Sequence, residues 1–139
     1  DLVYEHIDNQ KNYKWDGFEI GNAPTYPDSM RDTLLYDMMP YRKEGKFTLC
    51  NMTDEDFMNI SKHKDSKFAF VHFDGPHTTR AVITEAIWFA NRSAPHTRFV
   101  FDDHKYYQMS TIAHALTFFG FKTVEMGDNK CLLEKEKND

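Results

Sequence analysis

Two cysteines and six glycines are all that 139 residues contain, and none of the glycines forms a Gly-rich motif. Cys50 and Cys131 lack CxxC spacing and each lies within a strand-like stretch, so they read as small buried hydrophobes rather than a disulfide framework. A reducing compartment is compatible with that usage. No apolar run approaches the roughly 20 residues that a membrane helix needs, and no signal peptide precedes the first strand-like segment. A cytoplasmic location is therefore the expectation. Positive charge is also in short supply. Lys and Arg number 17 against 22 Asp and Glu, for a net charge of −5 with histidine neutral. The cations are scattered among acids, which argues against nucleic acid or a membrane as partner. The oligomeric state is left open.

What is present is apolar and aromatic material, 40% and 15% of the chain. That is enough for one domain over 1–139 with a substantial core. Leu2 to Ile7 reads as a short strand ending at Asp8. Residues Asn9 to Ser29 carry Gly, Pro, Asn and aromatics without a period and read as a long irregular connection. Asp28 or Ser29 caps a predicted helix from about Met30 to Met39, which Pro40 ends. Lys46 to Asn51 is a strand candidate, and Thr53 caps the acidic start of the helix "DEDFMNISKH".

Lys67 to Phe73 is the strongest predicted strand, followed by a helix over Thr78 to Ala94 and a strand over Thr97 to Phe101. A helix from Tyr106 to Phe119 stops at Gly120. "FKTVEM" and "KCLLEK" alternate like strands around "GDN", a hairpin turn. Strands alternating with helices predict an α/β layered fold with a mostly parallel sheet and an antiparallel C-terminal hairpin.

Such sheets bind ligands beyond the carboxyl ends of their strands. Asp8, Asn51, Asp74, His77, Asp102, Asp103 and His104 all fall at such ends. Parallel neighbours lie about 4.8 Å apart, so side chains at their ends reach a common point. If the strands ending at Phe73 and Phe101 are neighbours, Asp74, Asp102 and Asp103 cluster, repel one another and raise at least one pKa. A divalent cation relieves that repulsion. Oxygen ligands favour Mg²⁺, with Mn²⁺ or Ca²⁺ as alternatives, and zinc only if His77 and His104 join the ligands.

Taken singly, each acid has an ordinary structural reading. Asp74 suits the "DGPH" turn, Asp102 a helix cap and Asp103 a solvent-facing position. The two motifs together favour a site. His77, three residues beyond Asp74, is the candidate proton acceptor and His104 its competitor. His72 lies inside a strand, and His96 and His114 lack acidic neighbours in sequence.

From Phe68 to Glu134 the order of elements, with "FDGPH", "FDD" and the closing "GFKTVEMGDNKCLLEKE", resembles the second half of a class I S-adenosylmethionine-dependent methyltransferase. Within that superfamily it is most similar to the metal-dependent small-molecule O-methyltransferases. The resemblance implies a three-layer Rossmann-like sheet, Mg²⁺ or another divalent cation held by Asp74, Asp102 and Asp103, and His77 as general base. It further implies that Asp8 meets the ribose of S-adenosylmethionine and that Asn51 lies near its adenine. The family's Gly-rich cofactor loop has no counterpart here. The implied picture is a methyltransferase-like domain without its first strand, loop and helix.

The function so implied is metal-assisted O-methylation of a small molecule. Two other readings stand beside it, a catalytically inert methyltransferase-like binding module and a metal-dependent hydrolase. Fold resemblance alone does not choose among them.

Overall fold

The computed structural model describes residues 3–7, 28–50, 52–60 and 63–137. They belong to two compact units, Asp1–Ile60 and Ser61–Asp139. Asp8, Asn51 and most of the irregular stretch expected over 9–29 lie outside the described residues. No helix among the described residues is long and apolar enough to cross a membrane.

In the first unit β1 (Tyr4–Ile7) pairs in parallel with β2 (Phe47–Cys50), in register from Tyr4 opposite Phe47 to Ile7 opposite Cys50. Two helices precede β2, α1 (Asp28–Asp37) and α2 (Met39–Lys43). Pro40 was expected to terminate a helix. It sits instead in the first turn of α2, where a missing N–H leaves no intrahelical bond unmade. In α3 (Asp54–Met58) the Thr53 hydroxyl accepts the Asp56 N–H at 3.0 Å, the expected cap. That helix closes earlier than its sequence suggested, because the Asn59 amide folds back onto the Glu55 carbonyl at 3.0 Å.

The second unit runs β3 (Phe68–Phe73), α4 (Thr79–Ala90), β4 (Ser93–Phe101), a 3₁₀ turn (His104–Tyr106), α5 (Met109–Thr117), β5 (Phe121–Met126) and β6 (Cys131–Lys135). Its four strands form one mixed sheet in the order β3-β4-β6-β5. β3 and β4 are parallel, whereas β6 is antiparallel to both β4 and β5. The described pairings are thus evenly divided between parallel and antiparallel. By direction the sheet is still mostly parallel: β3, β4 and β5 run the same way, and β6 alone is reversed, inserted between β4 and β5 so that it contributes both antiparallel pairings.

Alternation along the strands sends Thr97, Phe99 and Phe101 of β4 and Cys131 and Leu133 of β6 to one buried face. Helix α4 buries Val82, Ala86, Phe89 and Ala90, and α5 buries Met109, Ile112 and Leu116. Both patterns follow the helical spacing of the sequence. The aromatic rings interlock: Phe73 stacks on Phe101 at 4.4 Å, Phe99 stacks on Phe121 at 4.4 Å, and Phe89 meets Phe73 edge-on at 5.8 Å. On the opposite face His72 and Arg98 are exposed.

Two boundaries moved for local reasons. Helix α4 ends at Ala90, not Ala94, because the Ser93 hydroxyl donates to the Ala90 carbonyl at 2.7 Å and the strand begins there. The early part of β4 is irregular, with His96 at φ 63°. The buried Thr97 hydroxyl there sits 2.6 Å from the Phe68 carbonyl and 2.7 Å from the Ala94 carbonyl. Helix α5 starts at Met109 rather than Tyr106, because Asp103 is left-handed and Tyr107 is extended at φ −145°.

The two faces of the sheet make different demands on aromatic residues. Phe99 is 0% exposed and Phe70 is 58% exposed. Phe99→Ala should cost about 3–5 kcal/mol by leaving a cavity among packed rings. Phe70→Ala should stay within about 0.5 kcal/mol. Urea unfolding of both variants measures this, and equal losses would mean that Phe70 is also part of a packed core.

Candidate functional site

The strands β3 and β4 run in register to their last apolar residues, Phe73 opposite Phe101. The ladder continues one step further, with the Asp102 N–H donating to the Phe73 carbonyl at 2.9 Å. Both chains leave the sheet there, so the two expected acidic ends emerge side by side. After Asp74 the "GP" turn leads to His77, and Thr78 caps α4 by accepting the Ala81 N–H at 3.3 Å. After Asp102, Asp103 adopts φ 53° and ψ 40°. Asp is among the few non-glycine residues that tolerate this left-handed geometry.

Two overlapping ligand sets result. Ligand atoms of His72, Asp74 and Asp102 lie within 4.8 Å of one another, and so do those of Asp74, His77 and Asp103. The three expected carboxylates are therefore brought together through Asp74, which belongs to both sets. His77 Nε2 is 3.3 Å from Asp103 Oδ2, and its ring stacks on Tyr106 at 5.4 Å and 14°. The imidazole is fixed by a carboxylate at one edge and by an aromatic ring on one face.

The acids are electrostatically unequal. Burial, hydrogen bonding to Asp102 and the negative charges of Asp102 and Asp103 push the Asp74 carboxyl above its ordinary range. Asp102 is pushed up by burial, but the Lys130 hydrogen bond, the Asp74 hydrogen bond and the Lys130 charge outweigh this and hold it below its ordinary value. Of the pair, Asp74 is therefore the harder to ionise and Asp102 the easier. Burial and then the nearby Asp102 and Asp103 charges raise the Tyr107 phenol. It stays neutral and donates to the Asp102 carbonyl at 2.7 Å.

The β5–β6 turn forms a wall of the site. Because β6 is antiparallel to β4, with Cys131 opposite Phe101, the residue preceding Cys131 falls beside Asp102. Lys130 Nζ is 2.7 Å from Asp102 Oδ1, and the Asn129 amide donates to the same oxygen at 2.9 Å. The Asp103 N–H reaches it at 3.1 Å. His104, the competing base candidate, is committed elsewhere: its Nε2 lies 2.7 Å from the Gly127 carbonyl, and its N–H donates to the Asn129 carbonyl at 3.3 Å.

Of the residues expected from sequence, Asp74, His77, Asp102 and Asp103 converge, and Asp8 and Asn51 lie outside the described residues. Sequence reasoning missed Lys130, Asn129, Tyr107 and His72. For His72 the signal was strand alternation, which puts residues 72 and 74 on one face. For Lys130 it was the pairing of the hairpin with β4.

The donor set suits a hard divalent cation. Carboxylates predominate, and the Asp74 carboxyl is raised first by burial and then by neighbouring acids whose repulsion a cation would relieve.

The shifted acids also set a pH dependence for the metal-free fold. A carboxyl with a raised folded pKa favours folding below its unfolded pKa of about 3.9, and that contribution is lost as pH rises through the folded value. Asp74→Asn in EDTA should therefore raise the melting temperature at pH 7 and leave it unchanged near pH 3. Asp102 has the opposite sign. Its stabilisation is present above the ordinary Asp pKa and is lost as pH falls through the depressed value, so Asp102→Asn should destabilise at pH 7. Melting curves at the two pH values test both signs, and a destabilised Asp74→Asn at pH 7 would contradict the charge assignment.

No family model and no curated protein matches the sequence.

Proposed function

We propose that the strand-end cluster activates the acceptor in an S-adenosylmethionine-dependent methyltransferase that methylates a hydroxyl of a small molecule with the help of Mg²⁺ or a related divalent cation. The observation that carries this reading is the convergence of Asp74, Asp102, Asp103 and His77 beyond the parallel β3–β4 pair. The strand order β3-β4-β6-β5 supports it as well, since it is compatible with the Rossmann-like, three-layer sheet that the resemblance implies.

Asp74 and Asp102, with His72 beside them, are the residues to hold the cation, which would supply Lewis acidity that makes an acceptor hydroxyl easier to deprotonate. Asp103 pairs with His77 Nε2 and favours the tautomer protonated there, leaving Nδ1 as the atom that takes the acceptor proton. Tyr106 keeps the ring plane fixed. Asp103 in this scheme serves the base more directly than the cation.

One observation favours a second reading, the inert methyltransferase-like module. Lys130 already satisfies the Asp102 charge without a metal ion. Cation binding separates the two readings, and turnover then separates cation from base. Mn²⁺ titration followed by electron paramagnetic resonance should detect binding to the parent chain. Asp102→Asn should weaken it by about tenfold or more, because an amide keeps an oxygen ligand but removes the charge that holds a hard cation. His77→Ala should bind Mn²⁺ nearly as the parent does and should lower methyl transfer by about 10² to 10⁴, the usual contribution of a positioned base. Absence of Mn²⁺ binding by the parent would leave the inert module as the better reading. Full activity in His77→Ala would remove His77 from the proton transfer.

A further inference from the structure

Asp102 Oδ1 is an overcommitted atom. It receives three donors, the Lys130 ammonium at 2.7 Å, the Asn129 amide at 2.9 Å and the Asp103 N–H at 3.1 Å. The donors differ in how easily they leave. The Asp103 N–H belongs to the backbone of the same turn. Asn129 sits in a β5–β6 turn closed by the Gly127 N–H to Lys130 carbonyl bond at 2.8 Å, and His104 clamps that turn at both Gly127 and Asn129. Lys130 alone holds on by a flexible four-carbon stem, with its side chain 53% exposed. Its ammonium can swing into water while the turn backbone remains in place.

We propose that Lys130 is a resident counter-cation that holds Asp102 when no divalent ion is bound and is displaced when one enters, so that it sets the ion concentration at which the site fills. The inference rests on the cation reading given above. An ammonium at contact distance on Asp102 opposes the arrival of a divalent ion at the Asp74–Asp102 pair, because the two like charges would then share one carboxylate. Lys130 thus acts as a positioning residue in the metal-free protein and as a competitor during loading. The competition is intramolecular, so it is present at every protein concentration. It also gives the exposed lysine a role that a surface ion pair rarely has, since such pairs add little stability.

The test is Mn²⁺ titration of the full chain, followed by electron paramagnetic resonance, for the parent, Lys130→Met, Lys130→Arg and the control Lys122→Met on the same hairpin. Lys130→Met should bind Mn²⁺ about tenfold more tightly. Lys130→Arg should stay near the parent or bind more weakly, and Lys122→Met should be unchanged. An independent readout needs no variant: Mg²⁺ titration followed by NMR of the lysine side chains should move the Lys130 Cε and Hε signals towards those of a solvated lysine. Equal Mn²⁺ affinity in the parent and Lys130→Met, or a Lys130 signal that Mg²⁺ leaves unmoved while binding proceeds, would overturn the displacement and leave the cation site standing. If neither the parent nor Lys130→Met binds Mn²⁺, the ion pair is permanent and both readings fall.

Discussion

The register of β3 against β4 is the constraint on which the second unit depends. Phe73 lies opposite Phe101 with their rings stacked at 4.4 Å, and Phe89 closes over Phe73 from α4. A slip of one residue would turn Phe99 and Phe101 out of the core and bring Arg98 and Val100 in. That cost holds the strand ends level. Level ends then leave Asp74 and Asp102 no means of avoiding each other, so packing forces the electrostatic problem and does not merely tolerate it. A hydrophobic interaction thereby fixes the position of the charged one.

The fold answers that problem with neighbours rather than distance. Asp74 is held above and Asp102 below the ordinary carboxylate range, and the β5–β6 turn brings a cation and an amide to Asp102. Tyr107 fixes the Asp102 backbone from the other side. These contacts come from the residues that follow β3 and β4 and from the turn that β6, antiparallel to β4, places beside them. The mixed sheet is therefore part of the electrostatics, since a parallel strand in place of β6 would present its carboxyl end, and no lysine turn, beside Asp102.

Where local pattern decides structure, the sequence was legible. The cap at Thr53, the apolar faces of α4 and α5 and the strand ending at Phe73 all depend on neighbours within a few residues. The acidic strand ends followed from β3 and β4 being adjacent, a consequence of the helical crossover between them. What was hidden depends on pairing across long separations. Nothing near Lys130 indicates that it meets Asp102, and "GDN" reads as a bare turn until β6 is set against β4. His96 shows the same limit: it has no acid nearby in sequence, yet Glu134 lies 4.0 Å away across the sheet. The start of α5 was misjudged because the left-handed Asp103 spends three residues on a 3₁₀ turn before the helix begins.

That left-handed residue also explains how two consecutive aspartates acquire different work. In a regular strand Asp102 and Asp103 would point to opposite faces, and in a helix they would diverge by about 100°. At φ 53° the backbone doubles back, so Asp102 stays with Lys130 and Asn129 while Asp103 turns to His77. The Asp103 N–H bonds back to Asp102 Oδ1 at 3.1 Å and helps to hold the turn. A residue other than Gly, Asn or Asp would meet a steric cost in that conformation. The second aspartate of "FDDH" is thus suited to its place twice, by the backbone it tolerates and by the carboxylate it offers to the imidazole.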